Sequence, residues 1–389
     1  MAEKVVLAYS GGLDTSAALR WRKEEHGMDV IAVTADVGAE KDLKAVREKA
    51  LKVGAIKALV VDAKDTFVNS YVFPALQADA IYQGVYPLAT ALSRPLIAKM
   101  LVDVAHKEGA SAVAHGCTGK GNDQVRFDVA TAALGPKLKV IAPARDWGMT
   151  REQTIAYAKK YRIPVPVTVA SPYSVDVNLW GRSIECGVLE DPWAEPPEEV
   201  YAWTVSTKDA PDEPLYVEIG FEKGIPISLN KKKMGGVALI QELHKLAGKH
   251  GVGRIDHIED RLVGIKSREI YEAPAGTVLF AAHKALEAMT LSKEQLRFKQ
   301  IVAAEYASLI YNGLWFSSFH QDLIPYVRST QRHVTGTVRV RLFKGNCTVV
   351  GRKSPYSLYQ HKLATYDVGD QFDQSASVGF IHIWGLPVS

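Results

Sequence analysis

At 389 residues the chain is longer than one typical hydrophobic core and suits two domains. Its 47% hydrophobic and 23% charged content is ordinary for a globular protein, and a net charge of +4 spread along the chain supplies no basic arm for general nucleic-acid binding. Three widely spaced cysteines (Cys117, Cys186, Cys347) make no disulfide framework or zinc-ligand spacing, no run reaches the ~18 apolar residues of a membrane span, and the opening MAEKVVLAYSGG lacks a signal-peptide stretch, so the expected address is the cytoplasm.

The first half alternates strand and helix. Residues 5–9 predict a short strand ending in a glycine turn, 14–25 a helix, 30–34 a strand, 41–53 a helix and 58–62 a third strand. Residues 89–108 predict a longer helix that Pro95 should kink or start. Strands are expected at 112–115 and 140–142, then a helix over 150–161 with Thr150 and Gln153 at capping-box spacing. This rhythm implies an α/β domain with a mostly parallel sheet covered on both faces. Ligands in such sheets sit beyond the C-terminal strand ends, here the loops after Tyr9, Thr34 and His115.

Ile163-Pro-Val-Pro-Val marks a boundary. Beyond it, strands predicted at 216–221, 337–342 and 348–350 mix with helices at 238–249, 277–289 and 293–310, an α+β pattern with surface loops at 191–197 and 209–214. The expected division is a nucleotide-binding domain over 1–165, an α+β domain over 166–362 and a tail over 363–389.

Two segments carry chemistry. Ala8-Tyr-Ser-Gly-Gly-Leu-Asp-Thr-Ser16 follows a strand and opens a helix. Gly11 and Gly12 let backbone approach an anion, and their N–H groups with those of the helix start form an anion cradle. Ser10, Thr15 and Ser16 add hydroxyls, and a Mg2+ ion would reconcile the Asp14 carboxylate with a phosphate. A plain strand, glycine turn and Asp N-cap is the bland alternative. The second segment runs from Ala114 to Phe127 and also follows a strand; Thr118, Asn122, Asp123 and Arg126 offer donors for carboxylates and an acceptor for an ammonium. His115 alone reads as a packed strand-end residue. Gly121 stands where a P-loop needs Ser or Thr, and no G-x-G-x-x-G follows the first strand, so neither of those nucleotide motifs is present.

The glycine loop resembles the PP-loop of the ATP pyrophosphatase superfamily, whose members cleave ATP between the α and β phosphates. AYSGGLDTS (8–16), YPLATALSRPLIAK (86–99), HGCTGKGNDQVRF (115–127), SPYSVDVNLWGRSIECGVLEDP (171–192), RIDHIEDRLVGIKSREIYEAP (254–274) and LATYDVGDQFDQSASVGFIHI (363–383) together resemble the argininosuccinate synthase family. That resemblance implies ligation of citrulline and aspartate through a citrullyl-adenylate, with ATP going to AMP and pyrophosphate, in arginine biosynthesis. It assigns ATP to Ala8, Tyr9, Ser10, Gly11, Gly12, Leu13, Asp14, Thr15 and Ser16, to Ala35 and to Gly116. It assigns aspartate to Thr118, Asn122 and Asp123, and citrulline to Tyr86, Thr90, Asn122, Arg126, Ser174, Ser183, Glu259 and Tyr271. Asp14, Ser16 and Asp123 are the expected catalytic residues, with ATP as substrate and Mg2+ as its ion.

Bland readings stand beside these: Glu259 and Arg261 as a surface ion pair, Tyr86 and Tyr271 as ordinary half-buried tyrosines. A PP-loop enzyme that modifies tRNA and a non-catalytic ATP or amino-acid binding protein remain the alternatives. The family's chain is expected to run on from a strand around Gly379-Phe-Ile into a C-terminal helix that clasps neighbouring subunits; ending at Ser389 leaves too little chain for that helix, which puts the expected homotetramer in doubt. Leu279, Leu286, Leu296, Ile301 and Leu309, at helical spacing, are the expected source of an oligomer surface.

Overall fold

The computed structural model describes residues 3–39, 42–147, 151–164 and 172–388. Three sheets organise them. The first holds β1 (Lys4–Ala8), β2 (Asp29–Asp36), β3 (Lys57–Asp62), β4 (Ala112–Ala114) and β5 (Lys139–Ile141) in the order β3-β2-β1-β4-β5, all parallel. Val5, Val6, Leu7, Ile31 and Val33 are buried, which is why these strands read as continuous apolar runs: helices cover both faces. The order turns at β1 and β4, so the loops leaving those strands open on one crevice.

The second sheet is antiparallel: β8 (Leu215–Glu222), β9 (Ile225–Leu229), β10 (Lys232–Lys233), β13 (Gly336–Phe343) and β14 (Asn346–Lys353), ordered β10-β9-β8-β13-β14. The third, β11 (Arg254–Asp260), β12 (Lys266–Glu272), β7 (Gly181–Glu185) and β6 (Ser174–Asn178), is antiparallel too and faces the crevice. Its hairpins were not visible as strand patterns in the sequence, because their crevice-facing residues are polar.

The β6–β7 turn locks this sheet to the parallel domain. Asn178 donates to the Ala89 carbonyl (2.8 Å) and accepts from Trp180 N–H (2.8 Å), while Trp180 Nε1 donates to Pro87 O (2.9 Å). Gly181 must be glycine, since a Cβ there would lie 2.9 Å from the Ala89 Cβ.

Several expectations change. The Ala89–Glu108 helix runs unbroken through Pro95, which neither starts nor ends it; the ring is buried inside the helix's packed face. Thr150 lies outside the described residues, and the helix there spans Arg151–Lys160. The stretch read as a strand around Gly379-Phe-Ile is part of a helix, Ala376–Gly385, with Val378, Phe380, Ile381, Ile383 and Trp384 exposed. Leu279, Leu286 and Leu309 are core residues and Leu296 packs on that core, so they offer no oligomer surface; of the five, Ile301 is the exposed one, at 59%.

A buried ionic group joins the two halves of the chain. Lys299, only 2% exposed, donates to Asp79 Oδ2 (2.6 Å) and pairs with Glu287 Oε1 (2.9 Å). His283 Nδ1 faces Asp79 Oδ1 (3.0 Å) and Nε2 faces Gln331 Oε1 (2.8 Å). The Gln331 amide is oriented by its donation to Glu287 Oε1 (2.6 Å), so both imidazole nitrogens meet acceptors and the ring is a cation. Two carboxylates and two cations leave the cluster neutral. Burial, with Asp79 adding repulsion and His283 and Lys299 opposing it, holds the Glu287 carboxyl up to about 7. A group raised in this way stabilises the fold below its ordinary range and loses that contribution as pH rises through about 7. Lys299→Met, which leaves His283 as the one cation of the cluster against two carboxylates, should cost about 3–5 kcal/mol by urea unfolding at neutral pH. The deficit should shrink as pH falls and Glu287 takes up a proton; an equal deficit at acid and alkaline pH would mean that Lys299 contributes only packing.

Candidate functional site

The crevice at the C-terminal end of β1, β2 and β4 is a cleft of about 560 Å3, closed on its far side by β6, β7, β11 and β12. Its first wall is the turn after β1. Gly11 has φ +75°, and a Cβ there would press on Val46 at 3.1 Å, so both conformation and space demand glycine. Gly12 caps the Leu13–His26 helix in extended conformation with no side-chain cap, leaving first-turn amides of the helix to face the cleft. Ser10 Oγ accepts from Gly12 N–H (3.3 Å) and meets Thr15 Oγ1 at 3.1 Å. Thr34 Oγ1 donates to Tyr9 O (2.7 Å), tying β1 to β2 just before Ala35. Ser16 is buried and its hydroxyl meets Tyr9 OH at 3.0 Å, which puts it behind the loop; the direct catalytic contact expected of Ser16 does not match its position.

The second wall is the turn after β4. His115 Nδ1 accepts from Cys117 N–H (3.3 Å), so its proton sits on Nε2, directed at Asp128 Oδ1 (2.8 Å). His115 is a buried strand-end residue as expected, and it shapes the turn that presents Gly116. A Cβ on Gly116 would meet Thr15 at 3.0 Å, so the two glycine turns touch.

Asp123 opens the Asp123–Leu134 helix and is held by two guanidiniums: Arg94 Nε (2.8 Å) on Oδ2 and Arg126 NH1 (2.9 Å) on Oδ1. Burial pushes this carboxyl up, but Arg94 and Arg126 outweigh it and hold it down at about 2. Arg94 also bonds Asp176 of β6. Arg126 stacks its guanidinium over Tyr311, donates from Nε to Tyr311 O (2.9 Å) and keeps NH2 without a partner although buried. A buried, orphaned guanidinium N–H beside a cleft is a ready donor for a carboxylate.

The third sheet supplies the far wall. Its register sets Ser183 beside Tyr271 and Asp176, and Ser174 beside Glu185, on one face. Glu259, 3% exposed, accepts from Tyr271 OH and from Tyr311 OH (2.6 Å). Asn122 donates to Tyr311 OH (2.8 Å) and accepts from Leu262 N–H (2.9 Å). Tyr86 stacks on Tyr271 at 4.1 Å and accepts from Thr90 N–H (3.0 Å), while Thr90 Oγ1 lies 3.4 Å from Ser183 Oγ. Burial raises the phenols of Tyr86, Tyr271 and Tyr311 above their usual range, so all three are protonated at neutral pH. Glu259 and Arg261 do not form the surface pair considered above: Arg261 bonds Glu185 and Glu269 (2.8 Å). Burial, then Glu185 and Glu259, lift the Glu269 carboxyl to about 8.

Of the residues expected from the sequence, all but Gly11 and Ser16 line this one cleft. Sequence reasoning missed Arg94, Asp176, Glu185, Arg261, Glu269 and Tyr311. Arg94 had a signal, being four residues after Thr90 on the same helical face. Tyr311 had none, since only tertiary packing brings it to Asn122.

Comparison with known proteins gives consistent matches. A family model described as the arginosuccinate synthase N-terminal HUP domain matches residues 4–164, and one described as the arginosuccinate synthase C-terminal domain matches 173–389. The argininosuccinate synthase of Dehalococcoides mccartyi is 66% identical over 386 residues, covering 99% of this chain and 95% of that one. Those of Gloeobacter violaceus and Geobacillus kaustophilus are 62% and 61% identical, with 99% of this chain and 97% and 94% of theirs covered. A solved structure, a predicted subunit of tRNA methyltransferase from Methanocaldococcus jannaschii, overlaps 40% of this chain and 75% of its own at 15% identity; a TM-score of 0.29 is too low to carry an argument.

The double clamp on Asp123 is testable. A carboxyl depressed in the fold stabilises it above the ordinary carboxylate range and loses that contribution as pH falls toward about 2. Arg94→Met should raise the Asp123 value into or past the ordinary range, because burial then outweighs the remaining guanidinium, and should move acid unfolding to higher pH. Carbon NMR titration of Asp123 checks this; an unchanged titration would show that Arg126 alone sets it.

Proposed function

The chain belongs to the argininosuccinate synthase family, and on that premise we propose how its cleft carries out the family's reaction. The reaction is the ATP-dependent ligation of citrulline and aspartate, releasing AMP and pyrophosphate. A ureido carbonyl is a poor electrophile because its nitrogen lone pairs stabilise it. Its oxygen therefore first attacks the α-phosphorus of ATP; the new O–P bond forms as the bond to pyrophosphate breaks. The aspartate amine then adds to the ureido carbon, the C–O bond to AMP breaks, and the amine's proton leaves to solvent.

ATP occupies the wall formed by Ala8 to Thr15, Ala35 and Gly116, with pyrophosphate on the amides of Gly12 and the helix start. Gly11 and Ser16 shape that wall from behind. Arg126 takes the citrulline carboxylate through its orphaned NH2, and that donor is the observation that carries the assignment. Glu259, Tyr86, Thr90, Tyr271, Ser174, Ser183 and Asn122 surround the rest of citrulline. Thr118, Asn122 and Asp123 receive aspartate. Asp123, kept ionised by its two arginines, presents a fixed negative charge to an ammonium. Most of the rate enhancement comes from bringing three anionic reactants together among preorganised donors.

Asp14 stands exposed at the mouth of the cleft, on the first turn of the phosphate-facing helix. One carboxylate suits Mg2+, whose remaining ligands are ordinarily phosphate oxygens and water, so Asp14 would hold the ion of the nucleotide and offset its charge. No helix among the described residues is long and apolar enough to cross a membrane. We place the enzyme in the cytoplasm, with the division near residue 165 separating the nucleotide domain from the synthetase domain.

Assembly belongs to the same reading. The Ala376–Gly385 helix exposes Phe380, Ile381, Ile383 and Trp384 at 62–73%, a surface that water does not favour. A helix apolar on every side needs a partner, and a second copy of this chain supplies one in a homotetramer.

Two experiments test this function. Pyrophosphate release should require ATP and citrulline, and net argininosuccinate should require aspartate as well. Gly12→Val should abolish both while leaving the unfolding midpoint unchanged, because Gly12 lines the cleft, a Cβ there meets Ser10 Oγ at 3.3 Å, and a branched side chain takes room that pyrophosphate needs. Normal turnover by that variant would remove the loop from the phosphate site. For assembly, light scattering should give a multiple of 42.6 kDa, and replacing Phe380, Ile381 and Trp384 with Ser should lower it; a monomer with full activity would refute the oligomer.

A further inference from the structure

The glycine loop after β1 is supported from behind by a second helix. The Leu43–Val53 helix packs behind the turn and presents Val46 and Lys49, three residues apart on one face, to Gly11. Both Val46 methyls would meet a Gly11 Cβ, at 3.1 and 3.3 Å, so Val46 fills the space that the glycine leaves. Lys49 Nζ donates to Gly11 O at 2.5 Å. Among the described residues no carboxylate lies within ion-pair distance of this ammonium, and burial alone lowers its pKa. An unpaired, half-buried ammonium on a single backbone carbonyl is a costly arrangement for packing purposes.

The peptide joining Gly11 to Gly12 is trans and planar, so its C=O and N–H point in opposite directions. With the carbonyl held on Lys49, the Gly12 N–H turns the other way, to Ser10 Oγ and the cleft. Lys49 thus stands at the oxygen end of a peptide dipole whose nitrogen end is turned toward Ser10 Oγ on the cleft wall. Its field adds to that of the helix start.

We propose that Lys49, supported by Val46, is the positioning residue of the Ser10–Gly12 turn, and that its ammonium acts through the Gly11–Gly12 peptide to strengthen binding of the pyrophosphate part of the nucleotide. The inference rests on the reading that this turn holds pyrophosphate. Lys49 lies outside the cleft lining and touches no reacting atom. Citrulline and aspartate are contacted from other walls, so their binding is independent of it.

Calorimetric titration of the full chain with inorganic pyrophosphate, and separately with AMP, tests this on wild type, Lys49→Met, Lys49→Gln and Lys49→Arg. Lys49→Met and Lys49→Gln should each bind pyrophosphate roughly tenfold more weakly, the loss expected for one charge-assisted contact. Lys49→Arg should stay near wild type. AMP affinity and the KM values for citrulline and aspartate should not move, whereas a general loosening of the fold would weaken all of them together. Equal pyrophosphate affinity in wild type and Lys49→Met overturns the proposal. So does full recovery in Lys49→Gln, which keeps a donor and discards the charge, and so does a parallel loss of AMP affinity. Pyrophosphate that fails to bind wild type, or binds Gly12→Val as well, instead removes the turn from the phosphate site and takes the proposal with it.

Discussion

A half-buried carboxylate between two guanidiniums holds the cleft together. Asp123 draws Arg94 from the Ala89–Glu108 helix and Arg126 from its own helix, and Arg94 reaches on to Asp176 in β6. Burial by itself would raise the Asp123 carboxyl; the two guanidiniums outweigh it and keep the carboxylate ionised. Three chain segments far apart in sequence are thereby fixed relative to one another. Arg126 spends two of its nitrogens on Asp123 and Tyr311 and keeps the third unpaired beside the cleft, so the scaffold and the cleft share one side chain.

The same economy recurs on the far wall. Glu259 uses both oxygens on tyrosine hydroxyls, and those tyrosines stack on Tyr86 and Tyr82. The rings cannot turn without breaking a buried hydrogen bond, which preorganises the pocket before any substrate arrives. Behind the sheet, Trp180 and Asn178 clamp the β6–β7 turn onto Pro87 and Ala89, so Ser183 arrives beside Thr90. Farther off, the Asp79–His283–Glu287–Lys299 cluster pins the first half of the chain to the second. A cation occupies its centre in the form of Lys299, so three residues spaced like metal ligands are a neutral ionic knot.

Exposed apolar side chains are densest at the end of the chain, where Val378, Phe380, Ile381, Ile383 and Trp384 follow one another. The last helix makes its aromatic contact within itself, Phe380 on Trp384 at 5.5 Å, and leaves its remaining apolar surface to solvent. Such a surface stands in contrast to the buried core, while the cleft is lined by residues from both halves of the chain.

How much of this the amino-acid sequence carried follows from which interactions are local. Alternating apolar runs and charged helices determined the parallel domain, because strands buried on both faces and helices with caps are written in short windows. The glycine turn after β1 and the Gly116–Asp123 turn were legible too, since a bare backbone beside hydroxyls and carboxylates has few uses besides an anion or zwitterion site. Resemblance over six blocks assigned residues to the substrates, and all of those but Gly11 and Ser16 line one cleft. Tertiary structure alone decided the rest. Pro95 sits within a helix because the surrounding core holds the flanking turns in place. The tail around Phe380 is helical although its β-branched and aromatic content favours a strand, since an isolated segment finds no sheet edge to join. Leu279 and Leu286 went to the core because burying them there removes more apolar surface from water than a subunit contact would. Tyr311 and Asp176 join the hydrogen bonds of the cleft only through contacts between segments that no local pattern connects, and a hydrogen bond spanning 189 residues, Asn122 to Tyr311, has no signature in either neighbourhood.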